Sequence, residues 1–96
     1  MYEKEQSLDG PPLIRDLLKE RQADLTAAER KLSAVLLDDS LVAGLQSITR
    51  LAEAAEVSTP TIIRLARKLG FDGFPDLQNA IRDEIAARMK QPLAKL

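Results

Sequence analysis

The chain has 96 residues, a formal net charge of −1, no cysteine, no histidine and three aromatic residues. This length suits one domain with a modest aliphatic core, and the lack of cysteine excludes disulfides and cysteine-based metal sites. Without histidine, general-base and metal chemistry lose their commonest side chain, and no apolar run approaches the roughly 20 residues that span a bilayer. We therefore expect a soluble, cytoplasmic domain that is not an enzyme, binds no metal and contains no cofactor.

The N-terminal part of the chain predicts a short arm followed by a helix. Residues 1–10 are polar and predict a flexible arm, and Pro11-Pro12 opens the helix. Its apolar face consists of Leu13, Ile14, Leu17 and Leu18. We expect one helical domain over residues 11–91, with residues 92–96 beginning a linker.

A second helix is predicted by the capping-box sequence Thr26-Ala-Ala-Glu29. In this motif the threonine oxygen and the glutamate carboxylate each accept a hydrogen bond from the other residue's amide. The helix is expected to run to about Leu37, where Asp38-Asp39-Ser40 interrupts it. A short third helix over residues 41–43 is then expected to end at Gly44.

Residues 47–70 predict two short helices joined by a tight turn, which is the form of a helix-turn-helix. Ser47 and Ser58 stand where helix N-caps belong, and Gly70 stands where the second helix stops. Residues at helical spacing give each helix one apolar face, namely Leu51, Ala52 and Ala55 in the first and Ile62, Leu65, Ala66 and Leu69 in the second.

The outer face of the second helix carries cations and small polar groups, and no acidic residue occurs from Val57 to Phe71. A helix that enters the major groove needs such groups near its N-terminus, where base edges lie. The predicted base contacts are Thr59, Pro60, Thr61, Ile63 and Arg64. The predicted phosphate contacts are Ser47, Ser58, Arg67 and Lys68. The alternative is that these cations form only a solvated helix face.

The net charge of −1 argues mildly against DNA binding, but the charges are distributed unevenly along the chain. Residues 1–56 carry seven bases and eleven acids, whereas residues 57–96 carry seven bases and four acids. The net charge of −1 predicts that a monomer binds DNA weakly. A homodimer would compensate, because it doubles the number of phosphate contacts. The alternative function is a helix-turn-helix bundle used only for protein interaction or dimerisation.

A last helix is predicted from about Pro75 to Lys90, after a turn with two aromatic anchors, Phe71 and Phe74, and Pro92 is expected to stop it. Its apolar stripe comprises Leu77, Ile81, Ile85 and Met89. The first two are expected in the core, and the stripe and the first helix are the candidate dimer seams. The predicted class is all-α, a small homeodomain-like bundle of about five to six helices.

Two adjacent acid pairs, Asp38-Asp39 and Asp83-Glu84, are the nearest approach to a catalytic dyad. Neighbours in sequence point to different sides of a helix, so we expect solvated charges or helix-end residues. No glycine-rich phosphate loop is present in the sequence. We therefore predict no catalytic residue.

The chain resembles the N-terminal domain of the RpiR/MurR family of bacterial transcriptional regulators. The matching segments are Leu25-Thr-Ala-Ala-Glu-Arg30, Ser47-Ile48, Leu51-Ala-Glu-Ala-Ala55, Val57-Ser58, Pro60-Thr-Ile-Ile-Arg64 and Arg67-Lys-Leu-Gly-Phe-Asp-Gly-Phe74. The resemblance implies a domain that binds double-stranded operator DNA as a dimer and controls sugar-catabolic genes. It also implies a phosphosugar effector, bound by a C-terminal sugar-isomerase-like domain outside this chain.

Two residues depart from the family pattern. Glu56 stands where the family usually has glycine, at a turn position that often needs a positive φ angle. We therefore expect Glu56→Gly to stabilise the fold. Ser40 stands where the family often has proline, and we expect this change to be benign because serine caps helices well.

Overall fold

The computed structural model describes residues 13–38 and 41–95, with residues 89–95 described as backbone only. The expectations for the N-terminal arm, for the helix start at Pro11-Pro12, for Asp39 and Ser40, and for the side chain of Met89 lie outside the described residues.

Within the described residues the chain forms α-helices and short 3-10 helices and no strand. The α-helices are α1 (Ile14–Glu20), α2 (Ala27–Asp38), α3 (Ile48–Ala55), α4 (Thr59–Lys68) and α5 (Phe74–Lys95). The 3-10 helices are Gln22–Asp24, before α2, and Val42–Leu45, before α3. This architecture confirms the predicted all-α bundle.

The core lies between α1, α2, α3, α4 and the first half of α5, because each of these helices buries apolar side chains. All the apolar positions predicted for α3 and α4 are buried. Leu77 and Ile81 of α5 are fully buried, which confirms that this part of the stripe is core, and Ile85 is half-buried. Phe74 belongs to the same buried cluster and Phe71 packs against it, as expected of aromatic anchors.

Hydrogen bonds confirm three of the predicted helix-end signals. The Thr26 amide donates to Glu29 Oε1 at 2.9 Å and the Glu29 amide donates to Thr26 Oγ1 at 3.1 Å, which completes the capping box. Ser47 Oγ accepts from the Arg50 amide at 3.2 Å. Gly70 follows α4 with a φ of 101°, and the amide of Phe71 reaches back to the carbonyl of Ala66 at 3.0 Å.

Two predicted boundaries were wrong. The short helix expected at residues 41–43 is a 3-10 helix over Val42–Leu45, because Leu41 takes a left-handed φ of 76° ahead of it and Gly44 lies inside it. The last helix continues to Lys95, past the stop expected at Pro92. A proline inside a helix removes one backbone donor and crowds the carbonyl four residues earlier, and a helix can respond with a kink and continue beyond it.

The expectation that Asp83 and Glu84 are solvated charges or helix-end residues was also wrong for Glu84, which is buried and lies inside α5. Asp83 is exposed, but Glu84 is 8% exposed, and its carboxylate meets the start of α1. The two residues are neighbours on α5 and therefore point to different sides, one to water and one to the core.

Candidate nucleic-acid interface

The turn between α3 and α4 is closed by Glu56, which has left-handed angles of φ 59° and ψ 48°. The amide of Val57 donates to the carbonyl of Ala52 at 3.0 Å across this turn. The positive φ expected at the family's glycine position is therefore present, although glutamate occupies it. This geometry ends α3 and sends the chain directly into α4.

The start of α3 is held from outside the helix-turn-helix by Gln78 of α5. Its side-chain amide donates to the carbonyls of Gln46, at 2.8 Å, and Gly44, at 3.2 Å. Gln46 immediately precedes the cap residue Ser47, which is exposed. Sequence reasoning missed Gln78, because an isolated glutamine on an amphipathic helix gives no sign of a partner 32 residues away.

The start of α4 differs in detail from the expected cap. Ser58 occupies the N-cap position, but its hydroxyl pairs with the hydroxyl of Thr61 at 2.9 Å and not with a backbone amide. Thr61 is only 5% exposed. The structure therefore places this predicted base contact on the covered side of the helix start, whereas Ser58 remains exposed.

The exposed face of α4 consists of Pro60, Ile63, Arg64 and Arg67. Their spacing of i, i+3, i+4 and i+7 places them on one side of the helix, opposite the buried residues. Ile63 is unusual in being a large apolar side chain with 36% exposure. The Nε of Arg67 donates to the carbonyl of Asp72 at 3.3 Å, and Thr59 is half-buried. We call Pro60, Ile63, Arg64 and Arg67 the outer face of α4.

Lys68 is directed towards α2 and not towards the outer face. Its ammonium donates to Glu29 Oε1 at 2.6 Å and to the carbonyl of Asp24 at 2.7 Å. The Lys68 side chain is 30% exposed and that of Glu29 is fully buried. In this arrangement the Lys68 ammonium is held by two acceptors, one of them a buried carboxylate, whereas Arg64 and Arg67 are exposed and Arg67 has one hydrogen bond among the described residues, from Nε to the carbonyl of Asp72.

The Glu29 carboxylate is stabilised in its charged form. Burial alone raises its pKa, but the hydrogen bond from Lys68, the bond from the Thr26 amide and the positive charges of Lys68 and Arg64 outweigh burial. The pKa of Glu29 is therefore lowered below the ordinary value of 4.5. Its second oxygen, Oε2, is buried without a hydrogen-bond partner among the described residues. Sequence reasoning identified Glu29 as a capping residue only, because the motif gives no information on its long-range partner.

The described residues contain no helix that is both long and apolar enough to cross a membrane. In the same part of the chain, no three His, Cys, Asp or Glu side chains are grouped so as to hold a metal ion.

The sequence of this domain matches a known protein family. Residues 13–88 match the helix-turn-helix domain of the rpiR family. The chain belongs to this family. The match covers all of α1 to α4 and most of α5, and it confirms the resemblance drawn from the sequence motifs.

Similar proteins are described as transcriptional regulators of the helix-turn-helix type. HexR of Pseudomonas aeruginosa is 36% identical over 77 residues, which cover 77% of this chain and 27% of that protein. The uncharacterised regulator YfhH of Escherichia coli K12 is 32% identical over 75 residues, with 78% and 27% covered. The chain thus spans about a quarter of the length of these relatives. No solved structure matches it.

Proposed function

We propose that this chain is the sequence-specific DNA-binding domain of a bacterial transcriptional regulator, with α4 as its recognition helix. The observation that carries the proposal is the outer face of α4, where two arginines and one isoleucine are exposed above a fully packed opposite side. Such a face suits the major groove, in which cations and apolar groups meet base edges.

The side chains at the start and on the outer face of α4, together with Ser47, have the following places in the proposal. Arg64 donates two hydrogen bonds to a guanine, and Ile63 contacts a thymine methyl group. Arg67, Ser58 and the α3 cap residue Ser47 bind phosphates, which position the domain without reading sequence. Thr59 and Pro60 lie at the N-terminal end of α4, where such helices approach base edges.

The proposed binding unit is a homodimer on double-stranded operator DNA. One short helix reads only a few bases, so a second half-site is needed for genomic specificity. A dimer also compensates for the low net charge, because it doubles the number of neutralised phosphates. The candidate seams are the start of α1, where the N-cap residue Leu13 is 43% exposed, and the later part of the α5 stripe, which begins at the half-buried Ile85, since Leu77 and Ile81 are buried in the core.

The proposed regulatory role concerns sugar or phosphosugar metabolism in the bacterial cytoplasm. It is supported by the resemblance of the sequence motifs to the RpiR/MurR family. The relatives have roughly three quarters of their length outside the match, room for an effector domain that binds a phosphosugar. Genomic fragments enriched by this chain are expected to lie upstream of sugar-metabolic genes, and enrichment elsewhere would contradict this part of the proposal.

The test is a titration of the chain against a pool of genomic DNA fragments at two salt concentrations. Binding should be selective and should weaken steeply with salt, because each neutralised phosphate releases counterions. Arg64→Ala should reduce binding. Arg82→Ala is the matched control, since Arg82 is exposed on α5 and bonds only to Asn79 of its own helix among the described residues.

Absence of DNA binding at low salt would overturn the proposal. It would favour a bundle used for protein interaction, whose apolar contacts respond weakly to salt. Equal losses from Arg64→Ala and Arg82→Ala would also count against α4 as the recognition helix, because they would show only a general effect of charge.

A further inference from the structure

The ion pair between Glu29 and Lys68 joins the first turn of α2 to the last residue of α4, 39 positions apart in the chain. We propose that these two residues are positioning residues for DNA recognition, which fix the rotation of α4 against α2, and that Lys68 does not contact DNA. The inference rests on the proposed DNA-binding function and assigns the pair a role within it.

The two acceptors of Lys68 lie in one short segment, residues 24–29, that is itself hydrogen-bonded. Glu29 Oε1 accepts from the Lys68 ammonium and also from the Thr26 amide, so the capping box of α2 sets the position of the carboxylate. The second acceptor, the carbonyl of Asp24, lies in the 3-10 helix that leads into α2. Lys68 therefore has two acceptors whose places are set by the backbone of residues 24–29.

The hydrogen bonds of Lys68 are directional, whereas the apolar contacts beneath α4 are not. Hydrophobic contacts of Leu65 and Leu69 favour burial of that side but tolerate small rotations about the helix axis. Hydrogen bonds of 2.6 and 2.7 Å from one ammonium restrict such rotation. Arg64 lies one turn before Lys68, so any rotation of α4 moves its guanidinium sideways relative to a base edge.

A second reading of the same contact makes opposite predictions. If Lys68 leaves Glu29 on binding and grips a phosphate, Glu29 competes with DNA for the ammonium. Removing the Glu29 charge then raises affinity, both by freeing Lys68 and by removing a negative charge beside Arg64. If the pair positions α4, the same change lowers affinity, because the tie is lost.

The experiment measures DNA affinity over a range of salt concentrations, with the enriched fragment as ligand. The variants are Lys68→Met, Glu29→Gln and the double variant, with Lys19→Met as the control, an exposed lysine on α1. Glutamine retains the capping box and methionine retains the apolar stem. Circular dichroism confirms that each variant is folded at the titration temperature.

Positioning predicts that each single change lowers affinity by about tenfold, comparable to the loss of one base contact. The double variant should then lose little more than either single variant, since one tie has been broken in each case. The slope of log affinity against log salt should equal that of the wild type, because no phosphate contact has been removed. Lys19→Met should leave affinity within about twofold.

The inference is overturned if Glu29→Gln raises affinity, or if Lys68→Met lowers the salt slope by about 0.9, the value for one phosphate contact. If a single variant unfolds, the double variant is used to decide between the two readings, because it leaves no unpaired buried charge. Its slope of log affinity against log salt still shows whether a phosphate contact has been lost. Failure of the wild type itself to bind DNA would overturn the proposed function and this inference together. Wild-type binding with tighter binding by Glu29→Gln would overturn the inference alone.

Discussion

The carboxylate of Glu84 accepts a hydrogen bond of 2.7 Å from the backbone amide of Ile14, 70 residues earlier in the chain. This amide is the first of α1, whose N-cap position is Leu13, a residue with no side-chain acceptor. The other Glu84 oxygen lies 3.4 Å from the guanidinium of Arg88, one turn along α5. The last helix therefore supplies the cap that the first helix lacks.

Glu84→Ala is expected to lower the free energy of unfolding by about 1–3 kcal/mol, because it leaves the buried amide of Ile14 without an acceptor. Urea denaturation measures the change. Asp83→Ala is the control, since Asp83 is the exposed neighbour on the same helix, and it should change stability by at most about 0.5 kcal/mol. Equal effects of the two substitutions would contradict the capping role of Glu84.

Glu56→Gly is expected to raise the free energy of unfolding by about 1 kcal/mol, because Glu56 holds a left-handed φ of 59° that costs a side-chain-bearing residue more than glycine. Thermal denaturation measures the effect as a higher midpoint. Glu53→Gly, at an exposed position inside α3, should lower stability by about 1 kcal/mol. An unchanged or lower midpoint for Glu56→Gly would show that the turn carries no strain.

Gly44→Ala is expected to destabilise the fold, because the added Cβ would lie 2.5 Å from Ile81 Cδ1 and 3.1 Å from Leu36 Cδ2. Both neighbours are fully buried, so overpacking should cost about 1–3 kcal/mol. Ile81→Val removes the closer methyl group. A double-mutant cycle should show that Ile81→Val costs less in the Gly44→Ala background than alone. Additive effects would place the strain elsewhere.

The depressed pKa of Glu29 predicts a loss of stability on acidification. A carboxylate whose pKa is lower in the folded than in the unfolded protein stabilises the fold fully above the unfolded value. That contribution disappears as pH falls through the folded value. Unfolding measured from neutral pH to below the ordinary value of 4.5 should therefore show the stability advantage of the wild type over Glu29→Gln shrinking as pH falls. An advantage independent of pH would mean that Lys68 and Arg64 do not stabilise the charged carboxylate.

The sequence was sufficient for features that depend on neighbours within one or two helical turns. The apolar faces of α3 and α4 and the capping box at Thr26 follow from local spacing. The left-handed turn residue Glu56 was expected only from the resemblance to the family, which usually has glycine at this position. The pattern did not predict that Glu84 is buried or that Gln78 braces the start of α3, because their partners are distant in the chain.

The same limit applies to the candidate interface. Periodicity correctly separated the buried side of α4 from the side that carries Arg64 and Arg67. It did not distinguish Lys68 from these two arginines, since all three lack an acidic neighbour within their own helix. Only the packing of α2 beside α4 reveals that Lys68 faces Glu29. The burial of Thr61 was also not predicted, because it depends on the local fold at the start of α4, where its hydroxyl pairs with that of Ser58.

The most direct test of the central claim is selection of binding sites from a random pool of DNA duplexes, with the wild type and Arg64→Ala in parallel. If the outer face of α4 reads DNA, the wild type enriches a defined motif. Arg64→Ala should then lose affinity by about 1–3 kcal/mol and lose the base preference at one position. Enrichment of no motif by the wild type, or of the same motif with the same affinity by Arg64→Ala, would contradict α4 as the recognition helix.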